Sequence, residues 1–199
     1  MSYQRKDYYF KKAKEENFAA RSVFKLEEID DKFRILRNND QVLDLGCAPG
    51  SWAQYTSKAV GAEGRVIGVD LQEVKIKIPN GIFIQADLND LRLDDVFHQL
   101  GLKKPFDVVL SDMAPKTTGI MITDQVRSLA LCELALSCAE RFLRTGGHFV
   151  CKLFHGGDFQ EFRKVLISRF EKVEILRPKS TRKASKEIFL IGMKFKPQG

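Results

Sequence analysis

Short apolar runs alternate with helical spacing through most of the chain. The runs are Gln41–Leu45, Arg65–Asp70, Ile82–Ala86, Phe106–Ser111, His148–Phe154, Val173–Arg177 and Glu187–Met193. Most are separated by segments whose apolar residues recur at helical spacing. The longest such segment, Asp124–Leu143, is ended by Thr145-Gly146-Gly147. Strands alternating with helices predict a mostly parallel sheet with helices on both faces. The last two runs are joined without a helix, which predicts an antiparallel hairpin at one edge. Upstream, Tyr3–Ala20 reads as an amphipathic basic helix and Ser22–Phe33 as a second helix. No repeat or linker interrupts the pattern. The expectation is one α/β domain over residues 1–199, with a seven-stranded sheet and residues 1–33 as a basic helical extension.

The first run carries the most informative feature. Val42-Leu43-Asp44-Leu45 breaks into Gly46-Cys47-Ala48-Pro49-Gly50, and Ser51-Trp52 then leads into a helical pattern ending near Val60. Glycines at a strand-to-helix turn, here Gly46 and Gly50, let a ligand approach the backbone closely. The spacing is not the G-x-G-x-x-G of a dinucleotide site. Instead Asp44 precedes the first glycine, and an acid there suits a ligand with a cationic amino group better than one with phosphates. S-adenosylmethionine (SAM) fits that description, and a Rossmann-like SAM-dependent methyltransferase fold is the expectation. Trp52 is either a core aromatic or a residue packed beside the cofactor, with backbone contacts there.

Acids close the following strands in succession. Asp70, about twenty residues past the turn, can accept hydrogen bonds from both ribose hydroxyls of an adenosine. Asp87 is placed to meet an adenine amino group, and Asp112 follows the fourth strand. One such aspartate is ordinarily a turn or a cap; three at successive strand ends point to a ligand. After the fourth strand, Asp112-Met113-Ala114-Pro115 has no aromatic residue of the kind that grips a base amino group, which favours a hydroxyl target. Lys152 is embedded in the apolar run Phe149–Phe154. It is either a strand-end lysine reaching solvent or an amine held near Asp112, since a buried lysine is costly unless paired.

Charge narrows the partners. The 199 residues carry a formal net charge of +7, with a pI near 9.2. Basic residues crowd Arg5, Lys6, Lys11, Lys12 and Lys14, and again Arg177, Lys179, Arg182, Lys183 and Lys186. Such clusters can be solvated faces; on a nucleotide-type fold they favour RNA or DNA. Cys47, Cys132, Cys138 and Cys151 lack C-x-x-C pairing and read as reduced core residues, and the three histidines are scattered. No metal site is expected. No apolar run is long enough to span a membrane, and the acids Asp7, Glu15 and Glu16 argue against a transit peptide. A cytoplasmic monomer is the expectation.

Taken together, the segments Arg21–Leu26, Asp44–Trp52, Ser111–Pro115, Cys151–Phe154 and Ser185–Ile188 resemble the FtsJ (RrmJ, RlmE) family of ribosomal RNA 2′-O-methyltransferases along nearly the whole chain. The resemblance implies a catalytic tetrad at Lys25, Asp112, Lys152 and Glu187. It also implies SAM contacts at Gly50, Trp52, Asp70, Asp87 and Asp112. The substrate it implies is a uridine ribose of large-subunit rRNA, methylated in the assembled subunit, with S-adenosylhomocysteine as product. Lys116 and Thr117-Thr118-Gly119 depart from the family's usual substrate loop. Relatives acting on tRNA share the tetrad, although length and the missing transit segment lean toward the bacterial rRNA type. A non-catalytic RNA-binding protein would explain the basic clusters but not the tetrad. A dehydrogenase would need the missing dinucleotide fingerprint. Lys152 is the candidate base; a charged Lys152 that orients the 2′-hydroxyl is the alternative.

Overall fold

A computed structural model describes residues 2–89, 92–102, 105–156, 159–182 and 184–197, with side chains from residue 8 onward. Lys183, and the side chains of Arg5 and Lys6, therefore lie outside the described residues. Two helices, α1 (Ser2–Glu15) and α2 (Val23–Phe33), lead into β1 (Gln41–Leu45), α3 (Ser51–Val60), β2 (Arg65–Asp70) and β3 (Gly81–Gln85). Then come α4 (Leu93–Gln99), β4 (Phe106–Ser111), α5 (Met121–Phe142), β5 (Leu143–Phe154), α6 (Phe159–Arg169), β6 (Phe170–Leu176) and β7 (Glu187–Phe195). The sheet runs β3-β2-β1-β4-β5-β7-β6. Its pairs from β3 to β5 are parallel, while β7 lies between β5 and β6 and is antiparallel to both. The expected seven strands and edge hairpin are present, with β6 at the edge.

Side-chain alternation along the strands divides the core in two. Leu43, Leu45, Ile67, Val69, Val109 and Phe149 pack toward α4, α5 and α6, where Phe97, Phe142 and Leu166 meet them. Val42, Val66, Val108, Val150 and Ile191 point the other way, onto Leu26 and Ile29 of α2 and Ala53 and Val60 of α3. Full burial of one such side chain stabilises by about 1.5–3 kcal/mol. Asp44 follows Val42 by two positions and so faces the α2/α3 layer, inside an apolar core.

Several boundaries differ from the sequence reading, among them the start of β5 at Leu143 and of β6 at Phe170, and two of the differences have a clear local cause. The first helix ends at Glu15, not Ala20. Asn17 adopts φ +58, and the N–H groups of Phe18 and Asn17 reach back to the carbonyls of Ala13 and Lys14. This pairing satisfies the last carbonyls and stops the helix, and Asn tolerates the left-handed conformation it requires. Phe18 then packs with Ala13, Val23 and Phe24, fastening α1 to α2. The second difference is at Gly146-Gly147, which lie inside β5 and end no helix. The β4–β5 register shifts between Phe106 and Val108. Gly146 has φ +77, and a Cβ on Gly147 would lie 2.8 Å from the Asp107 carbonyl oxygen. The glycines serve a bulge there.

Candidate active site

The turn after β1 is built for close approach. Gly46 has φ +74 and donates its N–H to the Val69 carbonyl at 2.8 Å. A Cβ at this position would lie 2.5 Å from Met113 Cγ and 3.1 Å from Met113 N. Glycine therefore lets the segment after β4 cross directly over the turn. Gly50, at φ +107, precedes α3, and a Cβ there would overlap the Ile76 side chain. The free N–H groups of the first turn of α3 face the same region. Trp52 itself is buried, with its ring 5.7 Å from that of Phe189 and its Nε1 donating to the Ser22 carbonyl at 2.9 Å. Its indole is a core aromatic that ties α3 to α2. Only its backbone lies along the turn.

Three carboxylates converge behind this turn. Asp70 Oδ2 accepts the Ala48 N–H at 2.8 Å, and its Oδ1 accepts that of Gln72 at 2.8 Å. The residue thus holds the glycine turn in place from the end of β2. Asp44 is completely buried in β1, opposite Gly68 and Leu110. Neither of its carboxylate oxygens has a hydrogen-bond partner among the described residues. Burial, and then the neighbouring Asp112 and Asp70 carboxylates, push its pKa up to about 8. Such a group is costly in an apolar interior. Asp87 is half-buried beyond β3 and apart from this cluster; its Oδ1 accepts the backbone and side-chain N–H groups of Asn89, each at 2.9 Å, which hold its pKa below the usual carboxylate range.

Two buried ion pairs stand beside the acids. Lys152 Nζ donates to Asp112 Oδ1 at 2.8 Å and also to the Asp112 backbone carbonyl. Lys25 Nζ lies 2.6 Å from Glu187 Oε1. Only 7–9% of the surface of Lys25, Lys152 and Glu187 is exposed. Lys152 therefore does not reach out to solvent. Sheet register explains the meeting: Lys152 pairs with Phe189 and Phe154 with Glu187 across β5 and β7, which puts all four on one face. Burial alone would raise the Glu187 pKa, but Lys25 and then Lys152 outweigh it and leave the carboxyl below its ordinary value. Lys25 and Glu187, Lys152 and Asp112 are thus brought together by α2, β4, β5 and β7.

The basic segments reach the same end of the sheet. Glu28 of α2 accepts the N–H groups of Lys179 and Ser180, at 2.6 and 2.9 Å. This fastens the loop before β7 to the helix that carries Lys25. Burial and the nearby Arg182 guanidinium lower the Arg21 pKa, while Glu187 opposes them. Arg21 and Arg182 therefore place two cations near the tetrad. Lys12 is partly committed elsewhere, 3.6 Å from Glu16 and 4.4 Å above the Phe24 ring. Sequence reasoning singled out Asp44 for its position but did not place it among the cofactor contacts, and Glu28 was missed. The signal for Asp44 was a lone acid inside an apolar strand; for Glu28 there was none, because its role depends on a contact 151 residues away.

Among the described residues no group of three His, Cys, Asp or Glu could hold a metal ion, and no described helix is long and apolar enough to cross a membrane. Comparison with known proteins agrees with the geometry. Residues 18–195 match the family model for FtsJ-like methyltransferases. A protein of Bdellovibrio bacteriovorus named ribosomal RNA large subunit methyltransferase E is 61% identical over 97% of this chain and 98% of its own length. One of the same name from Syntrophobacter fumaroxidans is 47% identical over 98% of this chain and 99% of its own. Among solved structures, a Plasmodium falciparum chain described as a ribosomal RNA methyltransferase superposes with a TM-score of 0.78. It is 30% identical, over 91% of this chain and 100% of that one.

Proposed function

The chain belongs to the FtsJ-like methyltransferase family, and from that premise we propose that it methylates a ribose 2′-hydroxyl, of a uridine in large-subunit rRNA within the large ribosomal subunit, with SAM as donor. The observation that carries this reading is the pairing of Lys152 with Asp112 directly in front of an orphaned, buried Asp44. A cationic methyl donor satisfies Asp44, and a hydroxyl acceptor can meet Lys152. Gly46, Gly50, the Trp52 backbone, Asp70, Asp87 and Asp112 are the residues that would hold the donor. Bound there, SAM supplies a methyl group on a positively charged sulfur that departs as a neutral thioether.

The chain's own residues have to bring the 2′-oxygen into line and take charge of its proton. Lys152 donates two hydrogen bonds to Asp112, one to the carboxylate and one to the backbone carbonyl. The nitrogen has one remaining direction. As an ammonium it offers a third N–H there, which stabilises developing negative charge on the 2′-oxygen. As an amine it offers a lone pair, which removes the proton. Asp112 fixes that direction in either case. Glu187 holds Lys25 at the other side of the hydroxyl's approach, and the Glu28 contact keeps the two aligned.

Transfer of label from methyl-labelled SAM to large ribosomal subunits, compared with tRNA and with the modified position mapped, tests the reading. The expected product is 2′-O-methyluridine in large-subunit rRNA. Label confined to tRNA would replace the substrate, and absence of transfer to any RNA would overturn the reaction.

A further inference from the structure

A cavity adjoins the tetrad that the reaction so far leaves without a task. It is lined by Thr117, Met121, Asp124, Gln125, Phe154, Ser185 and Lys186. Phe154 sits two residues beyond Lys152 on the same face of β5, about 7 Å along the strand, and its register partner is Glu187. Its ring is only partly buried. Lys186 Nζ lies against the Met121 thioether, and both residues line the cavity, so the ammonium closes one side of it. The loop that follows Thr117 is held by Asp124, whose Oδ1 accepts the Thr118 N–H at 2.7 Å and hydroxyl at 2.9 Å. Its Oδ2 accepts the Gly119 N–H at 3.3 Å. Met121, which lines the cavity, and its chain neighbours Ile120 and Ile122 expose 52–70% of their surface.

We propose that this cavity receives the nucleobase of the target nucleotide, stacked on Phe154, while its ribose 2′-oxygen meets Lys152. The inference rests on the reaction proposed above. Its support is the combination of an aromatic face, polar groups and one cation, set one strand repeat from the amine that must meet the ribose. RNA recognition by proteins commonly splays a base out and stacks it on an aromatic side chain, with hydrogen bonds to its edges. The Thr117 hydroxyl and Gln125 Oε1 face the base edge, the Gln125 Nε2 being spent on the His155 carbonyl; the Ser185 hydroxyl, which accepts the Glu187 N–H, keeps its own proton to donate, and Lys186 is a cation at the rim. A base withdrawn from its stack leaves neighbours whose faces are bare. The exposed Ile120-Met121-Ile122 segment, joined to the cavity through Met121, is an apolar surface for those neighbours.

Kinetics and cross-linking test the two halves separately. Phe154→Ala and Phe154→Leu should lower kcat/KM for methyl transfer to large subunits at least tenfold, with calorimetric SAM affinity unchanged. Phe154→Tyr and Phe154→Trp should recover activity to within about threefold, since they keep the stacking face. Leucine as active as tyrosine, or SAM affinity falling in parallel with activity, would overturn the assignment. Large subunits whose rRNA carries 4-thiouridine should cross-link, on near-ultraviolet irradiation, to the peptides containing Met121 or Phe154. This readout needs no methyl transfer, so it stands even if the proposed reaction fails. Cross-links confined to other peptides would reject the pocket, whatever the activity.

Discussion

Lys25 Nζ lies 2.6 Å from Glu187 Oε1, with both side chains nearly out of water. One partner comes from a helix near the start of the chain and the other from the strand that completes the sheet. Breaking a buried pair from one side leaves an uncompensated charge, a loss of about 3–5 kcal/mol, whereas removing both is far milder. Lys25→Met is therefore expected to lower the melting temperature more than Lys25→Met combined with Glu187→Leu. A double variant as unstable as the single one would show that the pair contributes little.

The same pair gives stability a pH dependence. The folded-state pKa of Glu187 is lowered, so its contribution is fully present above the ordinary carboxylate pKa of about 4.3. It is lost as pH falls through the lower folded value. The stability gap between wild type and Glu187→Gln should narrow across that acid range and stay constant above it. A gap that does not change between pH 6 and the acid limit would contradict the assignment.

Asp44 behaves in the opposite sense. With its pKa raised to about 8, the unliganded protein carries this carboxyl protonated at neutral pH, and a cationic ligand selects the ionised form. Binding of SAM at pH 7 should release close to one proton, seen as a dependence of the calorimetric enthalpy on buffer ionisation. Affinity should rise as pH climbs toward 8. The ligand's own amino group titrates in the same range, so Asp44→Asn is the needed control. Proton release identical in wild type and Asp44→Asn would assign the effect to the ligand.

The strand ends and the glycine turn were legible in the sequence for a physical reason. Alternating strands and helices force a parallel sheet whose ligand edge lies at the carboxyl ends, so Asp70 and Asp112 could be placed by position alone. Asp70 then proved to spend one oxygen on the glycine turn, at the Ala48 N–H, and the other on the Gln72 N–H of its own loop. Lys25 and Glu187 could be named only by resemblance. Their meeting depends on β7 inserting between β5 and β6, a choice that no local pattern encodes. Gly146-Gly147 misled for a related reason: glycines after a helical pattern read as a stop, although here they relieve a strand bulge against Asp107. Asn17 ended α1 early through a backbone conformation that hydrophobic periodicity does not record.

Capture of RNA should draw on the cations that the fold collects near the tetrad. Arg182 lies close enough to help burial lower the Arg21 pKa, with Glu187 opposing, and a phosphate bridging the two guanidinium groups would relieve their repulsion. Arg21→Gln with Arg182→Gln should weaken binding to large subunits and reduce the steepness of its salt dependence, since fewer phosphate contacts release fewer counterions. SAM affinity should stay the same. An unchanged salt slope would leave these arginines as solvated surface.

Lys152 is the point at which binding and catalysis should separate. Its nitrogen is fixed by Asp112 from two directions, and in the proposed reaction it meets the acceptor and not the donor. Lys152→Ala should fold, bind SAM nearly as wild type does and lose only modest RNA affinity, while methyl transfer falls by about 10² or more, the usual scale for a positioned acid-base group. The alanine variant leaves Asp112 without its partner, so Asp112→Ala combined with Lys152→Ala separates that cost from the chemical one. Lys152→Arg decides between the two roles: a guanidinium keeps the charge and can hold an oxyanion, but does not lose its proton in a protein. Substantial transfer by the arginine variant, flat with pH, would assign Lys152 to orientation and charge stabilisation. Activity as low as in alanine, with SAM and RNA bound normally, would favour proton removal. Near-wild-type turnover in Lys152→Ala would take this residue out of the mechanism and leave the buried pair with Asp112 as a device of stability alone.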